Sequence, residues 1–105
     1  MVTSVDRIDA SIPLEFNLSQ NYPNPFNPNT YIRFEIPKDA FVTINIYDLN
    51  GKLVRNLVAE FKSAGAYRTI WDSRDDHGSK LTSGIYFYSL KAGEFSMTKK
   101  MTLLK

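Results

Sequence analysis

From Tyr31 the chain alternates strictly, with Ile32, Phe34 and Ile36 on one side and Tyr31, Arg33 and Glu35 on the other, until Pro37 ends the run. That period of two predicts a half-buried strand. Phe41–Leu49 repeats the device, Val42, Ile44 and Ile46 opposing Thr43, Asn45 and Tyr47, and runs into Asn50-Gly51, a pair that favours a type I′ hairpin turn. The next segment, Leu53–Phe61, is ambiguous, because Leu53, Val54, Leu57, Val58 and Phe61 also fit a helical stripe. The hairpin signal before it and Ala64-Gly65 after it leave room for a strand and a loop, and strand is the reading adopted. Ala66–Trp71 alternates again, with Tyr67, Thr69 and Trp71 opposing Ala66, Arg68 and Ile70. After a polar loop over residues 72–80, Ser83-Gly84 introduces a strand at Ile85–Leu90. Lys91-Ala92-Gly93-Glu94 turns it, and Phe95–Leu104 forms the last strand, with Phe95, Met97, Met101 and Leu103 on one face. No convincing helix interrupts the series. The pattern predicts an all-β protein, an immunoglobulin-like β-sandwich of about seven antiparallel strands.

The part before Tyr31 reads differently. Val2–Leu14 mixes charged, small and β-branched residues without a period, so residues 1–15 read as a linker or N-terminal arm and residues 16–105 as one Ig-like domain. Between them lies Asn21-Tyr22-Pro23-Asn24-Pro25-Phe26-Asn27-Pro28-Asn29. Each proline lacks an N–H donor and pushes its predecessor toward extended conformations, which excludes a helix. With 105 residues, seven Phe, six Tyr and one Trp, the chain holds enough apolar volume for a single core. There is no Cys, so side-chain packing alone must hold it. A formal charge of +2 is too small to draw a polyanion, and nucleic acid is not an expected partner. No apolar run approaches the roughly 20 residues of a membrane-spanning helix, and the first sixteen residues lack the basic-then-apolar order of a secretory signal. A signal peptide, for an exported protein, is expected upstream of this stretch.

Catalytic equipment is sparse. A nucleophile needs a neighbouring base, and the one histidine, His77, sits in a Gly/Ser/Asp turn with Ser73 and Ser79 nearby and no orienting acid in a recognisable elbow. The domain is therefore read as non-enzymatic. Asp72, Asp75 and Asp76 make calcium the one cation to weigh, since it takes oxygen ligands on such loops. The acidic order and closing Glu of an EF-hand loop are lacking, however, and Asp is common in turns because it bonds its own backbone. No cofactor is expected. Tyr86 and Tyr88 alternate along one strand and would be the contacts of a carbohydrate-binding face if that face were open.

The chain closes on Lys99-Lys100-Met101-Thr102-Leu103-Leu104-Lys105, a strand with basic residues at both ends. Such a strand either hides in the sheet, guarded by its lysines, or presents an edge to a partner. Together with the other blocks it resembles a family. Residues 21–28 followed by Thr30-x-Ile32-x-Phe34-x-Ile36-Pro37 are similar to the opening of type A C-terminal sorting domains of the bacterial type IX (Por) secretion system. Ile46-Tyr47-Asp48-Leu49-x-Gly51-Lys52-x-Val54, Ala64-Gly65, Trp71-Asp72, Asp75-Asp76-x-Gly78, Ser83-Gly84-Ile85-Tyr86-Phe87 and the final seven residues follow in the family's order. A more distant resemblance is to the Ig-like domain of flagellar hook-capping proteins. The match runs from about Ile12 to Lys105. It departs at Ser73, where the family often has Gly after Trp-Asp, a difference that bears on the local turn.

The resemblance implies a sorting signal at the end of a covalently fused cargo, exported through the periplasm to the cell surface or beyond. It implies recognition by the outer-membrane translocon through Gly84, Lys99, Lys100, Met101, Leu103, Leu104 and Lys105. A sortase-like protease would then remove the domain, and the arm over Val2–Phe16 is where composition and position place the cut. The alternative is a carbohydrate-binding or structural accessory module of a secreted glycoside hydrolase.

Overall fold

The computed structural model describes residues 5–9 and 11–105. Eight strands form two four-stranded antiparallel sheets and no helix interrupts them among the described residues. The first sheet has the order β1 (Val5–Asp9), β6 (Gly65–Trp71), β3 (Thr30–Ile36), β2 (Asn17–Leu18). The second has the order β5 (Leu53–Lys62), β4 (Ala40–Tyr47), β7 (Gly84–Ala92), β8 (Phe95–Leu103). Alternation does what it predicted: Ile32, Phe34 and Ile36 from β3 meet Val42, Ile44 and Ile46 from β4 in a shared core with Trp71, Leu90, Met101 and Leu103. Burying a side chain of this size contributes roughly 1.5–3 kcal/mol, and the two inner faces supply most of them.

Two local readings change, and a third, the strand adopted for β5, is borne out. The segment taken as a linker or arm contributes a strand: Val5–Asp9 pairs antiparallel with β6, Val5 opposite Thr69. Residues 1–4 and 10 of that arm lie outside the described residues. Arg7 helps hold β1 by donating from Nη2 to the Ala64 carbonyl at 2.6 Å. Second, the turn after β4 is not type I′. The Gly51 N–H donates to the Asp48 carbonyl at 3.0 Å, and positive φ is confined to Gly51, at 84°. Asn50 therefore stays on the negative side, the pattern of a type I turn closed by a left-handed glycine. Third, β5 is a strand over its whole length, and its helix-like stripe has a structural cause. The register with β4 slips between Val58 and Asn56, and again between Arg55 and Leu53, so Leu57 and Val54 are extra residues. Each bulge resets the two-residue phase, and Leu57 and Val58 end up buried side by side.

Candidate functional site

The last strand and the proline-rich segment form one structure. β8 pairs with β7 in unbroken register from Ala92 opposite Phe95 to Gly84 opposite Leu103. The two strands join through Gly93-Glu94, where only Gly93 has positive φ, 60°, as a type II′ hairpin requires. The inner side of β8 puts Met101 and Leu103 fully inside the core, with Phe95 and Met97 packed at its margin. On the outer side, Lys100 stands in register with Phe87 of β7 and Tyr47 of β4.

The free edge of β8 is closed by the chain's own proline-rich segment over its C-terminal half. The Phe26 N–H donates to the Thr102 carbonyl at 3.0 Å, and the Leu104 N–H donates to the Phe26 carbonyl at 3.0 Å. The Thr102 N–H donates to Asn24 Oδ1 at 2.9 Å, and Gln20 Nε2 donates to the Lys100 carbonyl at 2.7 Å. Phe26 thus lies parallel to Leu103 as a one-residue substitute strand. A proline-rich stretch cannot supply regular ladder donors, so Asn24 and Gln20 side chains fill in where main-chain groups cannot. The Phe26 ring anchors the segment: it is buried, with its centroid 5.8 Å from that of Trp71. Upstream of Lys100, the edge at Ser96 and Thr98 carries no such cap among the described residues.

The residues singled out for recognition therefore separate into three groups. Met101 and Leu103 are core, and Gly84 is the first residue of β7, opposite Leu103. Lys99 is half-buried at the sandwich margin. Lys100, Leu104 and Lys105 are exposed, Leu104 by 53%, and the Lys105 N–H is fixed by donation to Ser83 Oγ at 2.9 Å.

Tyr86 and Tyr88 offer no open face, which corrects the proposed carbohydrate contact. Both are buried, and the faces of β7 are the reverse of what side-chain polarity suggests, with Ile85 and Phe87 turned outward. The reason is that each hydroxyl reaches a carbonyl at the margin of the core. Tyr86 donates to Thr82 at 2.7 Å, its ring edge-on to Trp71. Tyr88 donates to Ser19 at 2.7 Å and accepts from the Asn21 N–H at 2.8 Å. Burial pushes the Tyr88 hydroxyl up to about 12, despite the Asn21 N–H bond that favours its ionised form.

The acidic loop is built around arginine. Arg55, buried on β5, lies 3.7 Å from a carboxylate oxygen of Asp72 and 3.7 Å from one of Asp76, and donates to the Arg74 carbonyl at 3.1 Å. Asp76 also accepts from the Asn56 N–H at 3.0 Å. Asp75 faces elsewhere: its Oδ1 accepts from the N–H groups of Ser79 and His77, both at 2.9 Å. The Ser79 bond is the main reason its carboxyl is held below the ordinary value of 3.8; desolvation opposes it, and the His77 N–H bond and nearby positive charge reinforce it. Of the three carboxylates proposed for calcium, Asp72 and Asp76 share Arg55 while Asp75 accepts from its own turn, and no group of three metal-ligating side chains converges among the described residues. His77 is an exposed turn residue.

Ser73 shows why a glycine would suit this position. Its φ is 66°, the left-handed region, and it is the one non-glycine residue there among the described residues. The conformation costs about 1–2 kcal/mol. Ser73 offsets part of that by donating from Oγ to the Pro28 carbonyl and by accepting the Leu81 N–H at 2.9 Å. The turn thereby ties the acidic loop to the proline-rich segment.

A family model described as a secretion system C-terminal sorting domain matches residues 20–103. No curated protein sequence matches the chain. Among solved structures, dimeric latent PorU from Porphyromonas gingivalis superposes with a TM-score of 0.69 at 22% identity, over 99% of this chain and 10% of that one. PorZ of the same organism, described as an essential surface component of the type-IX secretion system, superposes with a TM-score of 0.55 at 18% identity, over 86% of this chain and 11% of that one. The chain spans about a tenth of each, and at these identities the likeness is one of fold. The family match over residues 20–103, most of the chain, places it in the family of type IX secretion system C-terminal sorting domains.

Proposed function

We propose that this domain is a folded, non-catalytic sorting signal read through the side chains around its last strand, with the backbone edge playing no part over Lys100–Leu104. The observation that supports this is the cap on β8: its outward main-chain groups from the Lys100 carbonyl to the Leu104 N–H already have partners within the domain. What remains available there is Lys100, in register with Phe87 and Tyr47, together with exposed Leu104 and Lys105 just beyond the strand. In this reading a cargo fused upstream passes the inner membrane, crosses the periplasm and is taken by an outer-membrane translocon that recognises that surface. Met101 and Leu103 act indirectly, by holding the strand in the core.

Release by a sortase-like protease fits the stretch between β1 and β2. Leu14 there is 96% exposed, and Glu15 is exposed beside it, whereas Val5–Asp9 is engaged in the sheet. Proteases bind extended, accessible backbone, so the cut belongs after β1.

Deleting residues 99–105 would remove Met101 and Leu103 and unfold the domain, so point substitutions are the sharper test. A reporter carrying a signal peptide and this domain is produced in a type IX-secreting bacterium, with Lys100→Glu, Leu104→Glu and Lys105→Glu combined. Exposed substitutions change stability by about 0.5 kcal/mol or less each, so the purified variant should melt close to the parent. The expected result is a folded reporter retained in the periplasm. Normal surface delivery of a folded triple variant would overturn side-chain recognition at this end.

A further inference from the structure

The contact between the proline-rich segment and the acidic loop leaves a cleft of about 490 Å³ beside the end of β8. Asn27, Pro28 and Asn29 line one wall, Asp72, Ser73, Arg74 and Lys80 the other, and Lys105 the rim. Its volume is within the range of about 300–1,000 Å³ typical of small-molecule sites. Its charge is lopsided: three cations face one carboxylate, and that carboxylate, Asp72, is also held by buried Arg55 from behind. Lys80 and Lys105 have no ion-pair partner among the described residues.

The walls are fixed before any ligand arrives. Ser73 Oγ bonds the Pro28 carbonyl across the floor, and the Arg74 carbonyl accepts from Trp71 Nε1 at 2.9 Å as well as from Arg55. The Arg74 side chain is steadied by donation from Nη1 to the Gly78 carbonyl at 2.6 Å and by Asp72 at 4.0 Å from its Nε. Arg74 and Lys80 pair as an isolated antiparallel bridge, which brings their two cations to the same loop base. A preformed cleft in which three side-chain cations face one side-chain carboxylate suits a compact anionic group. The two Asn amides at its other wall each offer donors and an acceptor, which suits hydroxyl groups.

We propose that this cleft binds a phosphorylated sugar, its phosphate held by Arg74, Lys80 and Lys105 and its hydroxyls by Asn27 and Asn29. The site shares Lys105 with the proposed recognition surface, but it is tested by ligand binding to the isolated chain rather than by secretion, so the two readings fail separately.

The test is amide-resolved NMR on the 105-residue chain titrated with glucose 1-phosphate, inorganic phosphate and glucose. Saturable shifts are expected at Ser73, Arg74, Lys80 and Asn29 with glucose 1-phosphate, weaker ones with phosphate, and none with glucose. Lys80→Glu, at an exposed turn, should weaken glucose 1-phosphate about tenfold or more, the effect of losing one charge-assisted bond, with the remaining spectrum unchanged. Asn29→Ala should weaken glucose 1-phosphate and leave inorganic phosphate as it was. Absence of saturable shifts at these residues overturns the proposal, as does unchanged binding by Lys80→Glu. Equal affinity for phosphate and glucose 1-phosphate overturns its sugar half.

Discussion

Both outer edges of the second sheet are closed over part of their length by irregular segments of the same chain, and they are closed by different chemistry. At β5 the acidic loop does it: the Asp76 N–H donates to the Val54 carbonyl, and the Asp76 carboxylate accepts the Asn56 N–H, with buried Arg55 neutralising the charge. At β8 the proline-rich segment does it with carbonyls, amides and one buried ring, without an ion. The first cap depends on ionised carboxylates near the surface, where solvent and salt weaken each contact. The second depends on burial of Phe26, which neither acid nor salt removes. An unguarded strand edge invites pairing with other chains, so both closures also keep the sheet from pairing with others.

Substitutions that strike one cap should leave the other intact. The largest effect is expected from Phe26→Ala, about 3–5 kcal/mol, because a buried ring is lost next to Trp71 and a cavity is left. Hydrogen exchange should then accelerate first at Leu104 and Thr102, with Asn56 and Asp76 lagging. Equal acceleration at both edges would show that the caps are coupled. Next comes Arg55→Met, which keeps the buried volume and strips the loop of its guanidinium. A loss of roughly 1.5–3 kcal/mol by denaturant unfolding is expected, as for hydrogen bonds to charged groups. Here the exchange pattern should be reversed, fast at Asn56 and slow at Leu104.

The smallest effects concern pH, and they have opposite signs for the two sides. Asp75 is held below its ordinary value, so its contribution is present above the normal carboxylate range and is lost as pH falls through the depressed value. Tyr88 is raised to about 12, so the folded state keeps its proton longer than the unfolded chain does. Its contribution is full below pH 10 and declines between 10 and 12. Thermal melts across both limbs should show the acid loss shrinking in Asp75→Asn and the alkaline loss shrinking in Tyr88→Phe. An alkaline limb unchanged by Tyr88→Phe would assign it to another group.

Which parts were legible follows from the same physics. β3, β4 and β8 announce themselves because one face is core and the other solvent. β5 hides its nature because two bulges shift the phase, so its apolar residues drift into a helical spacing. β1 was missed because Asp6, Arg7 and Ile8 are exposed, and an edge strand with so little burial leaves no alternation. In β7 the period was plain but the inward face was not. Tyrosine can be core when its hydroxyl finds a carbonyl, as Tyr86 and Tyr88 do, and composition alone cannot supply the carbonyl's position. The proline-rich segment was readable as extended, yet its place beside β8 rests on Asn24 and Gln20 side chains meeting residues about eighty positions away. The exposed members of the proposed recognition surface were named from the sequence, whereas their separation from buried Met101 and Leu103 needed the strand's orientation.

The pairing of Phe26 with the end of β8 has a temporal consequence. Asn24 and Thr102 are 78 residues apart, so an early part of the domain waits for nearly the last part before its own bonds can form. While the chain is still being synthesised, the proline-rich segment has nothing to lie against, and Trp71 and Tyr86 lack one wall of their packing. A ribosome that stops short of Leu103 leaves a product whose core is open on that side. The fold thus reports that translation has run through β8, and under the proposed sorting role a machine that accepts only the closed form would reject a chain whose domain is incomplete.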